Sequence, residues 1–253
     1  MPLEAADIDL TPKADCSVCP HRRDRLTSGR CVPGDTCVMA MSGRQIARFF
    51  NANPGLADLY AGDEFWERRA IAARYLSQQR LLQMLDDPDE VVRRVLAYRL
   101  PVDELNALIK DPDREVRVTV ADRLPADELE RMATDEDYLV RQYVAKRMKR
   151  GRLFRMIADT DSEVRKTVAR RLPEESLGLM LNDSEVEIRR IVAERIAPES
   201  LPMLIDDKDW RVRFTACQRM PLDQLDAMLD DEDEDVRAIA VERLADESET
   251  KER

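Results

Sequence analysis

Along most of the chain two apolar rhythms alternate. In Asp87 to Leu100, DPDEVVRRVLAYRL, the residues Val92, Leu96, Ala97 and Leu100 share one arc at about 100° per residue, which predicts a helix with one buried face. Asp87 reads as its N-cap, Pro88 as its first helical position and Glu90 as the partner in a capping box, and Pro101 stops it after about Arg99. Beyond the proline come Leu105, Leu108 and Ile109, apolar positions about three apart over too short a span for a second full helix, so one or two turns of 3-10 helix are expected. The whole pattern then restarts 24 residues on.

That period holds without a slip. Arg93 recurs as Arg69, Arg117, Arg141, Arg165, Arg189, Arg213 and Arg237; Asp87 recurs as Asp63, Asp111, Asp135, Asp159, Asp183, Asp207 and Asp231; the stop recurs as Pro125, Pro173 and Pro221. A fixed period of this length predicts stacked units that bury their apolar faces only against neighbours, an all-α solenoid with no strand. Asp89 and Arg93 fall inside the buried arc, spaced i,i+4, and recur as Asp113/Arg117, Asp137/Arg141, Asp161/Arg165, Glu185/Arg189, Asp209/Arg213 and Asp233/Arg237. Repetition on a buried arc points to a structural Asp/Arg ladder rather than a ligand site.

Residues 1–60 fall outside the register and form a separate N-terminal module, ahead of an eight-repeat array over 61–245 and a polar tail over 246–253. Residues 1–15 are a polar lead-in. Later in the module Ser42 and Gln45 fit a capping box for a short helix whose apolar face is Ile46, Phe49 and Phe50. Six of the twelve aromatics (Phe49, Phe50, Tyr60, Phe65, Trp66 and Tyr75) cluster at the junction with the array, as a hydrophobic cap for the first repeat would require.

Charge narrows the function classes. The net charge is −11, and residues 1–60 hold seven Lys/Arg and seven Asp/Glu, so the array carries the whole excess. Phosphate backbones need a basic footprint, which makes nucleic acid an unsuitable partner for the array. His21 is the single histidine, which removes most histidine-based acid-base chemistry from the repeats; it reads as a surface residue or a neighbour of the ligands rather than a ligand. No apolar run is long enough to span a membrane and no export signal opens the chain, so a cytoplasmic protein with reduced thiols is expected. No phosphate loop, nucleophile with a base, or small-molecule site is evident, and the chain reads as a non-enzyme.

The chemistry lies in CSVCPHRRDRLTSGRCVPGDTC. Cys16, Cys19, Cys31 and Cys37 are spaced C-x2-C-x11-C-x5-C, and four thiolates complete a tetrahedral zinc site or hold an iron-sulfur cluster. The wide second pair and the intervening Arg22, Arg23, Arg25 and Arg30 lean towards the cluster, while zinc stays open on spacing alone. Cys217 replaces a core alanine of other repeats and reads as packing.

The D-x4-V-R-x3-A-x-R-L-P repeat behind this four-cysteine segment resembles the leucine-rich repeat variant proteins, from Cys16 to about Ala245. The resemblance implies a right-handed superhelix of paired α- and 3-10 helices, and a 4Fe-4S cluster on Cys16, Cys19, Cys31 and Cys37.

Two departures from the repeat mark candidate partner surfaces. The segment Lys146 to Arg155, KRMKRGRLFR, is a basic island with Lys146, Lys149, Arg150, Arg152 and Arg155, suited to an acidic partner. Trp210 and Phe214, i,i+4 apart, form a ridge outside the core, where Tyr98, Tyr138 and Leu139 also fall. The expected function is an iron-sulfur protein whose repeat scaffold binds an unknown protein partner for electron transfer or redox sensing; the alternative is an adaptor whose metal site only stabilises the cap.

Overall fold

The structure, a computed structural model, describes residues 11–251, with side chains through residue 246, so the first ten residues of the lead-in and the last two of the expected tail lie outside the described residues. The chain divides into two compact units, Met1–Arg123 and Leu124–Arg253. In the first unit the cysteine segment, containing a five-residue π-helix over Arg22–Leu26, leads to α1 (Gly43–Ala52) and a 3-10 helix over Pro54–Tyr60. Then come α2 (Trp66–Ala72), α3 (Gln78–Leu82), α4 (Glu90–Arg99), a 3-10 helix over Val102–Leu108 and α5 (Arg114–Arg123). The second unit alternates 3-10 helices over Leu129–Met132, Arg150–Met156, Glu174–Met180, Pro198–Leu204 and Leu222–Met228 with five α-helices. These are α6 (Tyr138–Arg147), α7 (Ser162–Arg171), α8 (Val186–Arg195), α9 (Trp210–Cys217) and α10 (Glu234–Lys251). The helical alternation is the one the sequence predicts, with one variation: the first repeat uses the short α3 where later repeats use a 3-10 turn. Among the described residues the β-type pairing is one isolated bridge, Val32 to Thr36.

The predicted arc is the core. Val92, Leu96, Ala97, Leu100 and Leu105 have no exposed surface, and the pattern recurs at Val140, Val144, Ala145, Met148 and Leu153. Burying each large side chain contributes about 1.5–3 kcal/mol, and each unit stacks its own layers in sequence order.

The caps differ from the expectation. The N-cap of α4 is Asp89, whose carboxylate accepts from the Val91 amide at 3.0 Å; Asp137, Asp161 and Asp209 do the same for α6, α7 and α9. Asp87 stands two residues earlier and accepts from the Asp89 amide at 3.0 Å, closing a turn that delivers the cap. Its carboxylate then faces back to the preceding repeat, where Arg69 holds it with two hydrogen bonds, at 2.7 and 2.8 Å. The i,i+4 ladder is therefore wrong in its partner. Arg93 pairs with Asp111, Arg141 with Asp159, Arg165 with Asp183, Arg189 with Asp207 and Arg213 with Asp231, each 18 residues ahead and each with a shortest contact of 2.7–2.8 Å. The same guanidinium donates to a carbonyl of its own repeat, as Arg93 does to Asp87 O at 2.7 Å and Arg141 to Asp135 O at 2.8 Å. One arginine thus fastens the turn of its own repeat to the turn of the next.

A second arginine series binds the other end of each layer. Arg123 donates to Ala97 O and Leu100 O at 2.5 and 2.8 Å, Arg171 to Ala145 O at 2.5 Å, Arg219 to Ala193 O at 2.6 Å, and Arg243 to Cys217 O and Met220 O at 2.6 and 2.7 Å. These are carbonyls left without partners where the preceding helix ends, and a cation there also suits the helix dipole.

Candidate metal centre

Four local devices place the cysteines. The amide of Cys19 donates to Cys16 O, and that of Arg22 to Cys19 O, so the C-x2-C segment is a turn running into the π-helix. Both Arg25 and Leu26 amides donate to His21 O, which widens this stretch into a π turn, and Gly29, at φ +71°, reverses the chain so that the amides of Arg30 and Cys31 return to Arg25 O. Gly34, at φ +80°, turns the Val32–Thr36 loop ahead of Cys37. A side chain is strained at either glycine, because positive φ brings a Cβ against the backbone. Finally the Cys37 amide donates to Gln45 O, seating that cysteine on α1.

The loop is fastened from behind. Asn53, just past α1, donates to Arg30 O at 2.9 Å and Phe49 O at 3.0 Å. Gln45 donates to Pro12 O at 2.7 Å, so it ties down the incoming chain and makes no capping box with Ser42, whose side chain caps nothing. His21 is buried, which corrects the surface expectation: its Nε2 and the Tyr60 hydroxyl share a hydrogen bond of 2.7 Å, and its ring lies 5.3 Å from Phe49. Burial, reinforced by Cys19, pushes the Tyr60 phenol up, and burial pulls the His21 imidazole down, both shifts favouring the neutral form. Phe49, Phe50, Tyr60 and Tyr75 continue from it as a packed group with centroids 5.6–5.9 Å apart, edge-on at Phe49–Phe50 and Phe50–Tyr60 and tilted at Phe50–Tyr75, the expected hydrophobic cap; Phe65 and Trp66 form a separate pair.

All four thiols are free, Cys31 and Cys37 buried and Cys16 and Cys19 half-buried. Burial first, then the neighbouring thiols of Cys37, Cys19 and Cys16, push the Cys31 thiol up to about 11. The other three thiols therefore lie within electrostatic reach of Cys31, and metal binding would require all four to give up their protons. Among the described residues no three His, Cys, Asp or Glu side chains are grouped so as to hold a metal ion. Four thiolates are the donor set of a tetrahedral zinc site and of a cubic iron-sulfur cluster alike. The donor set fits a four-thiolate cluster. Cys16, Cys19, Cys31 and Cys37 would hold it, and when bound it supplies one-electron chemistry at the edge of the first unit.

The candidate partner residues lie in the second unit. Lys149 pairs with Asp127, Arg152 with Glu130 at 2.7 Å, and Arg155 also with Glu130; Lys146 lies over the Tyr143 ring at 4.8 Å and Arg155 over Phe154 at 5.8 Å. Trp210 and Phe214 do meet, with ring centroids 6.3 Å apart, and line a cleft of about 540 Å³ with Arg190, Glu194 and Gln218. No island residue lines that cleft, so these are separate features. Cys217 is fully buried as core packing.

A family model for the LRV protein FeS4 cluster matches residues 12–59, and a leucine rich repeat variant model matches residues 66–89, 114–137 and 163–185. A solved structure described as a leucine-rich repeat variant with a novel repetitive protein structural motif is 56% identical, over 92% of this chain and 100% of its own, with a TM-score of 0.83. A Rhodobacter capsulatus protein described as an uncharacterized 27.7 kDa protein in the nifB 3′ region is 39% identical over 102 residues, and the chain spans 41% of that relative's length. The cysteine segment is thus an iron-sulfur segment rather than a zinc site, and no helix among the described residues is long and apolar enough to cross a membrane. The chain belongs to the leucine-rich repeat variant family, as a repeat protein bearing a four-cysteine iron-sulfur cluster.

Proposed function

We propose that the cluster is a redox centre that exchanges an electron with, or reports redox state to, a protein partner held by the repeat array. The observation that carries this reading is the asymmetry of the cysteines. Cys31 and Cys37 are buried against α1, while Cys16 and Cys19 lie half-buried in a surface turn whose intervening Val18 is 81% exposed. A centre that only stabilises a fold gains from enclosure on all sides, whereas electron exchange needs one edge within reach of a partner. Four cysteines would ligate every iron of such a cluster, which would leave none open for substrate and suits transfer rather than catalysis. The test is a potentiometric titration of anaerobically purified protein: a reversible midpoint within the physiological range is expected, and a cluster that only decomposes on reduction would overturn the reading. The second reading, a purely structural cap, is favoured by the Asn53 and His21–Tyr60 bonds that fasten the cysteine loop to the helices behind it.

A further inference from the structure

The outer face of the helices in the second unit carries ion pairs, and α9 breaks that pattern. On α8, Arg190 lies between Glu187 and Glu194, 3.3 Å from each. One repeat on, those three positions are Arg211, Phe214 and Gln218. On α7 the position of Phe214 is Lys166, which pairs with Glu163 at 2.7 Å. Trp210, one turn before Phe214, stands where α7 has Ser162. The two rings meet edge to face with Trp210 40% exposed, so this repeat replaces an outer ion pair with an aromatic ridge. At the corresponding position of α10 is the small, exposed Ala238, which leaves the rings uncovered from that side. The resulting cleft runs along the ridge, with Arg190 and Glu194 of α8 at one side and Asp235 of α10 at the other.

The charges around the cleft select its occupant. Both arginines there are already held: Arg211 donates twice to Asp209, at 2.9 and 2.8 Å, and Arg190 is shared between its two glutamates. The Asp235 carboxylate, on the first turn of α10, has no partner among the described residues. Two cations thus face four carboxylates: Glu187, Glu194, Asp209 and Asp235. Three other rings of the chain are covered by its own cations, Phe65 by Arg68, Tyr143 by Lys146 and Phe154 by Arg155, at 5.4, 4.8 and 5.8 Å. Among the described residues no cation lies over Trp210 or Phe214. An aromatic face attracts a guanidinium or ammonium, tryptophan most strongly, and a carboxylate beside it adds to the attraction. Single exposed hydrophobes need no explanation, but a ring pair lining a cleft with an excess of carboxylates has the chemistry of a cation site. The chain's charge of −11 steers a basic partner towards it and repels nucleic acid.

We propose that the Trp210–Phe214 cleft is the docking site for a basic, apolar segment of a protein partner, with one of its arginine or lysine side chains laid on the rings and facing Asp235 and Glu194. This rests on the scaffold half of the proposed function and names its surface and partner chemistry. The contacts of Glu194 with Arg190 are solvent-exposed, of a kind worth about 0–1 kcal/mol, so Glu194 turns to an incoming cation at little cost.

The test uses the full cluster-bearing chain and a fluorescein-labelled Arg/Leu peptide, with citrulline-for-arginine and glutamate-for-arginine peptides as comparisons. Citrulline keeps the shape of arginine without its charge. The wild type binds the arginine peptide in a salt-sensitive manner and the other two at least about tenfold more weakly. Phe214→Arg and Trp210→Ser each install the residue that another repeat carries there, Arg190 and Ser162, so the far-UV melt stays close to that of the wild type. Affinity for the arginine peptide falls by at least about tenfold in each. Asp235→Asn lowers it less and flattens the salt dependence. No binding of the arginine peptide, equal binding of the citrulline peptide, or undiminished binding by both ring variants would each overturn the proposal, the last by showing attraction to the acidic array at large. The cluster potential is measured on the same samples: a reversible potential without peptide binding refutes this site and leaves the redox reading standing, and peptide binding without a reversible potential does the opposite.

Discussion

At the scale of single residues the repeat assigns two aspartates per layer to different tasks, and they should differ on mutation. Arg141→Ala removes a bidentate partner from buried Asp159, and losing one member of a buried pair costs about 3–5 kcal/mol. Arg141→Lys should recover only part of this, because an ammonium cannot reproduce the two-pronged contact. Asp137→Ala, by contrast, removes the cap of α6 and should cost about 1 kcal/mol. Urea melts of the three variants check the order; equal losses for Arg141→Ala and Asp137→Ala would mean the pairing is misassigned. The arginine was legible in the sequence because it never leaves the 24-residue register. Its partner was not, since Asp87 and Asp89 keep the same register two residues apart, and periodicity cannot tell which caps and which bridges.

At the scale of elements, the alternation of α-helix and 3-10 turn was legible from the apolar spacing and the prolines. The helix-end arginines went unused although R-L-P was in plain view, because their acceptors are backbone carbonyls, which leave no trace in a sequence. Truncating Arg195, which donates to Leu172 O at 2.9 Å and also to Ala169 O, should cost about 1.5–3 kcal/mol, the range for hydrogen bonds to a charged group. Arg190→Ala on the exposed face of the same helix should stay within about 0.5 kcal/mol. Comparing the two variants by chemical denaturation separates tethering from helix propensity. Acid gives a second test at α9, where the hydrogen bond from Arg211 holds the Asp209 carboxyl at about 2. A folded pKa below the unfolded value means that the cap's contribution is fully present above about pH 4 and fades as pH falls towards 2. The amide of Arg211, which donates to this carboxylate, should titrate in NMR spectra with a midpoint near 2, and Arg211→Ala should move that midpoint up.

At the scale of the whole molecule, the four-cysteine segment was legible as a metal site from its spacing, while the cluster came from the family resemblance, because zinc and iron-sulfur clusters accept the same thiolates. His21 was placed at the surface or beside the ligands, and burial rules out the first of these; a lone histidine next to a C-x2-C pair carries no sign that Tyr60, 39 residues on, is its partner. Cys19→Ser should abolish cluster loading, and Cys217→Ala should leave it intact, as iron and acid-labile sulfide analysis would show; a Cys217 requirement would contradict the assignment of that thiol to the core of the second unit. The claim that the cluster works as a redox centre and does more than staple the cap is tested most directly by cycling the anaerobic protein through reduction and reoxidation while recording cluster absorbance and far-UV signal together. The expected result is an absorbance that bleaches and returns over several cycles with the helical signal constant. Absorbance that bleaches once and never returns, with helical signal lost alongside it, would contradict that claim and leave the cluster as a structural staple.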